Sequence, residues 1–313
     1  MTGRRLRILL GTLGVLVVAY LVVRFAVGRG GAPPSEPLAL ASAAELTIDS
    51  LVVVSEEDTV RLVRAGDGWT VNGLEAVADA GTTLESALED ARVGALASRN
   101  PENHERLGVA EGQGHRASFY SDGQPRLEIV LGEAARAAGG RYVRRAGEDE
   151  VHVLQGNLAD LVRRGVEEWR EKEILPAHTD SIARIEYAYP DTSFAVARDT
   201  AGWRLEPGSV TARSEEVAGI LGQLAGLRAL GFADDTVTVG LDWESPTARL
   251  RVLRTDGTEL GTVMFLEREE PGYFVRRADK PTVYTVSRFA GERILRRPDG
   301  LVSTGEGEGS GSG

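Results

Sequence analysis

Cysteine is absent from this chain. That inventory excludes disulfides, thiol catalysis, iron–sulfur clusters, thiolate zinc sites and a lipid carried on an N-terminal cysteine. Positive charge is in deficit: 36 lysines and arginines face 47 acidic residues, for a formal charge of −11. Phosphate binding needs a basic face that releases counterions, so nucleic acid is not expected as a partner. Catalytic signatures are missing as well, with no GxxxxGK[ST] phosphate loop, no GxSxG elbow and no HExxH pair. The glycines of GEAARAAGG from Gly132 lack the lysine and following helix that place amides around phosphate, and read instead as a hairpin connection.

Long apolar runs are scarce too, with one exception. From Ile8 to Val23 the chain reads ILLGTLGVLVVAYLVV, and the run extends from Leu6 to Val27 if Arg7 and Arg24 snorkel. As a helix this is about 33 Å long, enough for one bilayer crossing. Arg4, Arg5 and Arg7 precede it, so the positive-inside rule places the N-terminus in the cytoplasm and the bulk of the chain in the periplasm or outside the cell. A cleaved signal peptide is the competing reading, with small residues at Ala39, Ser42 and Ala44. The length of the run, and the distance of those residues from it, favour a retained anchor in the inner membrane. A buried soluble helix fits less well, because no polar face interrupts the run. With 42% hydrophobic and 27% charged residues, the remainder has the composition of a chain that folds in water.

Several strings recur at nearly constant offset. GDGWTV around Trp69 matches TAGWRL around Trp203, and YSDG ending at Gly123 matches RTDG ending at Gly257, both 134 residues apart. GRYVRR from Gly140 matches GYFVRR from Gly272, and EVHVL at Val151 matches TVYTV at Val283, both 132 apart. Between the first two landmarks each half predicts one amphipathic helix. Leu84, Ala87, Leu88 and Ala91 follow a capping box of Thr82 and Glu85; Val217, Ile220, Leu221 and Leu224 follow Ser214, with Glu215 and Glu216 in the first turn. Alternating segments after turn signals, RLEIVLG and LGTVMFLE, predict antiparallel hairpins. A longer helix is expected over Asn157–Glu173, with Leu158, Leu161, Val162 and Trp169 on one face.

The expected class is α+β: one N-terminal transmembrane helix followed by two tandem repeats of an antiparallel-sheet-plus-helix module. The expected boundaries are residues 1–27 for the cytoplasmic tip and anchor, 28–45 for a flexible linker, 46–176 and 177–299 for the repeats, and 300–313 for a disordered tail.

Candidate sites are few. His104, His115, His152 and His178 are scattered without metal-ligand spacing, and no metal or cofactor is expected. Asp234 with Asp235, or Glu167 with Glu171, are carboxylate pairs of the kind acid–base work needs. With 47 acidic residues such pairs arise without function, and no catalytic residue is assigned. Trp69 and Trp203 resemble sugar-stacking platforms, but their equivalent places in the two copies point to core packing. Asn100, Pro101, Glu102 and Asn103 form the most distinctive polar string, expected to stop a helix and turn, and also the best candidate for a loop that faces a partner.

These landmarks together resemble the DUF4340 family. The resemblance rests on the N-terminal span, Gly68-Trp69 with Ala78-Asp79-Ala80, and ASRNPENHERLGV from Ala97. It continues through the Tyr142–Arg145 and Val151 strands to a second GW half at Trp203. The second half departs from the pattern, since FADDTVTVGLD from Phe232 replaces the asparagine–proline string. The resemblance implies an extracytoplasmic accessory protein of the kind that accompanies export-type ABC transporters and gliding-motility-like systems, and implies no reaction. The expectation is a non-enzymatic scaffold with an envelope or transporter protein as partner. An envelope-polymer or small-ligand binding module using an inter-module cleft is the alternative, and a hydrolase with dispersed carboxylates ranks last.

Overall fold

The computed structural model describes residues 47–136 and 139–302. The expected span Ile8–Val23, the linker and the tail from Ser303 lie outside them. Among the described residues no helix is long and apolar enough to cross a membrane. Two compact units divide between Val166 and Glu167.

In the first unit the chain runs β1 (Ser50–Val54), β2 (Thr59–Ala65), β3 (Gly68–Val71), β4 (Leu74–Glu75), α1 (Ala80–Asp90), β5 (Arg92–Ser98), α2 (His104–Leu107), β6 (His115–Ser121), β7 (Gln124–Ala134), β8 (Arg141–Arg145), β9 (Val151–Gln155) and α3 (Leu158–Val162). Its nine strands form one antiparallel sheet in the order β4-β3-β2-β1-β6-β7-β8-β9-β5. Hairpins build each side of this sheet outward from β1 and β6, and α1 carries the chain from the β4 edge to the β5 edge. That crossing explains the helix's apolar stripe, which buries Leu84, Ala87 and Leu88. Period-two alternation in the strands supplies the facing surface, with Leu51 and Val53 on β1, Ala117 and Phe119 on β6, and Ile129 and Leu131 on β7.

The second unit, which begins within the short helix α4 (Val166–Trp169), repeats this plan. It runs β10 (Arg184–Ala188), β11 (Ser193–Asp199), β12 (Gly202–Glu206), β13 (Val210–Thr211), α5 (Ser214–Ala225), β14 (Gly231–Phe232), α6 (Asp235–Thr238), β15 (Ala248–Leu253), β16 (Glu259–Glu267), β17 (Tyr273–Arg277), β18 (Val283–Val286) and α7 (Arg288–Ile294). The strand order, β13-β12-β11-β10-β15-β16-β17-β18-β14, is the first sheet's order position by position. Two similar nine-stranded antiparallel sheets, each crossed by one helix, make the protein α+β and point to an internal repeat. The α5 stripe of Val217, Ile220, Leu221 and Leu224 is buried in the second core with Ile185, Tyr187, Val252 and Phe265.

Local expectations fail at three places. The helix expected over Asn157–Glu173 is broken into α3 and α4, because Arg163 ends the first turn run and Gly165 lowers helix propensity between them. Thr82 is inside α1 rather than capping it: the helix starts at Ala80, and the Thr82 hydroxyl donates back to the Asp79 carbonyl at 3.0 Å. Asn100-Pro101 starts a helical segment instead of stopping one, since proline at the first position lacks only an amide that would be unpaired there. Trp69 and Trp203 are half-buried, and Trp203 packs against the second core as expected. The Trp69 indole lies on Gly81 of α1, where a Cβ would stand 2.5 Å from Nε1.

Candidate functional site

The asparagine–proline string follows the edge strand β5 and folds back across the sheet. Its first turn is braced by its own side chains. Asn100 Oδ1 accepts from the Glu102 amide at 3.1 Å, and the Asn103 amide group donates to Ser98 Oγ at 3.0 Å. Arg106 Nη2 donates to Asn103 Oδ1 at 3.1 Å. A 3-10 turn over Pro101–Asn103 then continues directly into α2, which ends at Gly108 in the left-handed region. His104 Nε2 lies 2.9 Å from the Asp149 carbonyl and Arg99 Nε donates to Glu150 Oε1 at 2.8 Å, which tie the string to the β8–β9 turn. The Arg99 guanidinium holds the Glu150 carboxyl below its ordinary range.

Beyond α2 the backbone presses directly on the sheet. A Cβ on Gly132 would stand 2.3 Å from the Leu107 carbonyl oxygen, and one on Gly114 would stand 2.3 Å from Leu131 O and 2.6 Å from Gly108 O. Leu107 and Val109 close with Val130, Val151 and Tyr142 into a small cluster of their own. Val130 alternates to the face opposite Ile129 and Leu131, so this cluster covers the sheet's outer side. Arg144, opposite Val130 on β8, is only 7% exposed. Its Nε and Nη2 donate to the Val109 carbonyl at 2.9 and 2.8 Å, and Nη1 donates to Glu148 O at 3.1 Å. Burial disfavours its charged form, which these carbonyls offset. Arg144→Ala leaves Val109 O without its donor and opens a void, and is expected to cost about 2–3 kcal/mol. A lowered urea midpoint with faster amide exchange over residues 104–109 checks this.

The second unit fills the same place with different chemistry. Met264 on β16 is buried on the outer face and sits opposite Arg276, the counterpart of Arg144 132 residues on. Arg276 lies over the Trp243 ring, 4.7 Å from its centroid. Trp243 is 134 residues beyond Val109, so an indole face receives the arginine where the first unit offers a carbonyl. The string from Phe232 is thus a divergent cover over one shared position. Sequence reading missed Arg144 and Trp243; the signal was an arginine inside a strand at an otherwise apolar register in both copies.

Other candidates resolve as follows. Asp234 is exposed, and Glu171 accepts from the Glu173 amide at 2.6 Å. His152 Nε2 lies 3.5 Å from Glu150 Oε2, His178 is exposed, and no three His, Cys, Asp or Glu groups among the described residues gather to hold a metal. Beside the string a polar cavity of about 570 Å³ is lined by Glu57, Glu105, His115, Glu133, Arg141 and Arg163. Burial, with Arg163 and Arg141 nearby, lowers the His115 pKa and so disfavours its charged form. A larger groove of about 670 Å³ lies on the open face of the second sheet. Its charges are largely paired, Arg184 with Glu186 and Glu206 at 2.8 and 2.7 Å, and Arg251 with Glu259 at 2.8 Å.

A family model described as a domain of unknown function, DUF4340, matches residues 69–244, more than half of the chain, running from the Trp69 strand of the first unit to the loop after α6 in the second. No curated protein and no solved structure matches.

Proposed function

The chain belongs to the DUF4340 family, and from that premise we propose that it is a non-enzymatic accessory or scaffold protein. One N-terminal helix holds it in the inner membrane, and its two units face the periplasm or cell exterior. Its partner is another envelope protein, of the export-transporter or gliding-motility kind. What supports this reading is the construction of the Arg99–Val109 string. Its inward groups are committed to bracing the turn and gripping the sheet, while Pro101, Glu102, Glu105 and Arg106 are exposed. A self-braced loop with a mixed-charge outer face is preorganised for docking, since little side-chain or backbone freedom remains to be lost on contact. Acid–base chemistry needs a titratable group aimed at a reacting atom, whereas Glu102 accepts from the Asn100 side-chain amide at 3.1 Å and Glu105 is exposed.

Complementation of a strain lacking the protein tests both halves of the proposal. A chain without Ile8–Val23 is expected to fail to rescue, as is a full chain carrying Glu102→Lys with Glu105→Lys. The second variant changes exposed positions, and its melting temperature is expected to stay within a few degrees of the wild type. Rescue by the chain lacking the span favours a soluble binding or catalytic role instead.

A further inference from the structure

The groove of about 670 Å³ on the open face of the second sheet is within the size range of small-molecule sites. It is lined from β10, β11, β15 and the turn between β12 and β13. Compared with the equivalent positions of the first unit, three things differ along it.

The turn is longer. Residues 72 and 73 alone separate the paired Val71 and Leu74, whereas residues 206–209 separate the paired Leu205 and Val210. Pro207, Gly208 and Ser209 of the longer turn line the groove. The floor is smaller. Ala188 pairs with Ser193 and Arg249 as Val54 pairs with Thr59 and Arg116, and Ala195 opposes Glu186 as Arg61 opposes Val52. Alanines therefore stand where the first unit has valine and arginine. An arginine is also without its acid. Arg116 donates to Glu128 at 2.7 Å, across a diagonal of β6 and β7. Arg249 is the counterpart of Arg116, and the counterpart of Glu128 is Thr262, whose hydroxyl donates to Glu259 at 2.8 Å. Among the described residues Arg249 has no hydrogen bond or ion pair, while Arg184 and Arg251 are held by Glu186, Glu206 and Glu259.

We propose that this groove binds a carboxylate-bearing ligand, with Arg249 receiving the carboxylate. A guanidinium presents parallel N–H donors that match the two oxygens of a carboxylate. Ser193 and Ser209 line the same groove, with hydroxyls that make no hydrogen bond among the described residues. Glu186 and Glu206 line it too, so a phosphate dianion meets two like charges and a monoanion is preferred. Ala188, Ala195 and Pro207 give the rest of the ligand an apolar surface. A free small acid or the C-terminus of a peptide supplies this chemistry. The site belongs to the second unit alone, and binding there requires neither the anchor nor a partner at the Arg99–Val109 string.

The test is isothermal titration of the full-length chain in neutral detergent with N-acetylalanine, N-acetyltrialanine and the C-terminal amide of the tripeptide. Saturable binding of at least one acid is expected, with the amide weaker by about tenfold or more, the worth of a charge-assisted hydrogen bond. Tighter binding of the tripeptide acid assigns the site to a peptide terminus; equal or tighter binding of N-acetylalanine assigns it to a small free acid. Arg249→Gln is expected to weaken the acid by a similar factor. Thr262→Glu, which returns to this face the acid that Arg116 has, should do the same with the melting temperature unchanged, and Arg116→Gln should leave binding as it was. The proposal is overturned if the amide binds as tightly as its acid, if inorganic phosphate binds more tightly than either acid, or if Arg249→Gln or Thr262→Glu leaves the acid's affinity unmoved. Absence of saturable binding of either acid up to about 10 mM, by folded wild-type chain, overturns it as well.

Discussion

Gly114→Ala is expected to destabilise the first unit by roughly 3–5 kcal/mol, the range of severe overpacking combined with backbone strain. Gly114 has φ of +65°, and an added Cβ would meet two carbonyl oxygens, Leu131 O at 2.3 Å and Gly108 O at 2.6 Å. Backbone cannot step aside as the end of a side chain can. Either β7 or the Leu107–Val109 turn must move, and each movement breaks the Arg144 grip on Val109. Gly112 supplies the control two residues away. It also has positive φ, +78°, but nothing lies within 4 Å of a Cβ there. Gly112→Ala should therefore cost about 1 kcal/mol, the left-handed penalty alone. Urea unfolding of the two variants measures the difference; equal costs would mean that the string does not press on the sheet.

Tyr187→Ala is expected to cost about 3–5 kcal/mol in the second unit. Tyr187 is 1% exposed on β10 and stacks on Phe194, its cross-strand partner on β11, with centroids 4.7 Å apart and planes 5° from parallel. Its hydroxyl donates to the Ile294 carbonyl at 3.2 Å, at the end of α7. Burial pushes its phenol well up, so the proton needed for that bond is retained across the ordinary pH range. Tyr187→Phe keeps the stack and removes only the hydroxyl, leaving Ile294 O short of a donor, for about 1 kcal/mol. Denaturation midpoints for the two variants separate the ring from the hydroxyl.

The repeat was legible because packing preserves what recurs. GW, the turn aspartate–glycine pairs and the paired arginine strands hold equivalent strand positions in both sheets, and alternation with one helical stripe was enough to fix the class. Less was legible where one residue decides a boundary. Gly165 is visible within Asn157–Glu173, but an isolated glycine does not by itself end a helix, and the apolar stripe continues through Trp169 on both sides of the break. The asparagine–proline string was visible as a string, but its grip was not. Arg144 and Val109 are 35 residues apart, and only the sheet's register brings them together. Trp243 shows the same limit from the other copy: its role follows from the arginine that lies over its ring.

Photocrosslinking in native membranes tests the central claim most directly. A photoreactive residue placed at Glu105 or Arg106 in the full-length chain is expected to yield one discrete, stoichiometric adduct with a membrane protein. The same residue at Asp67, on the remote β2–β3 turn, should yield none. Recovery of the protein alone from all three positions, with wild-type folding intact, would contradict the account.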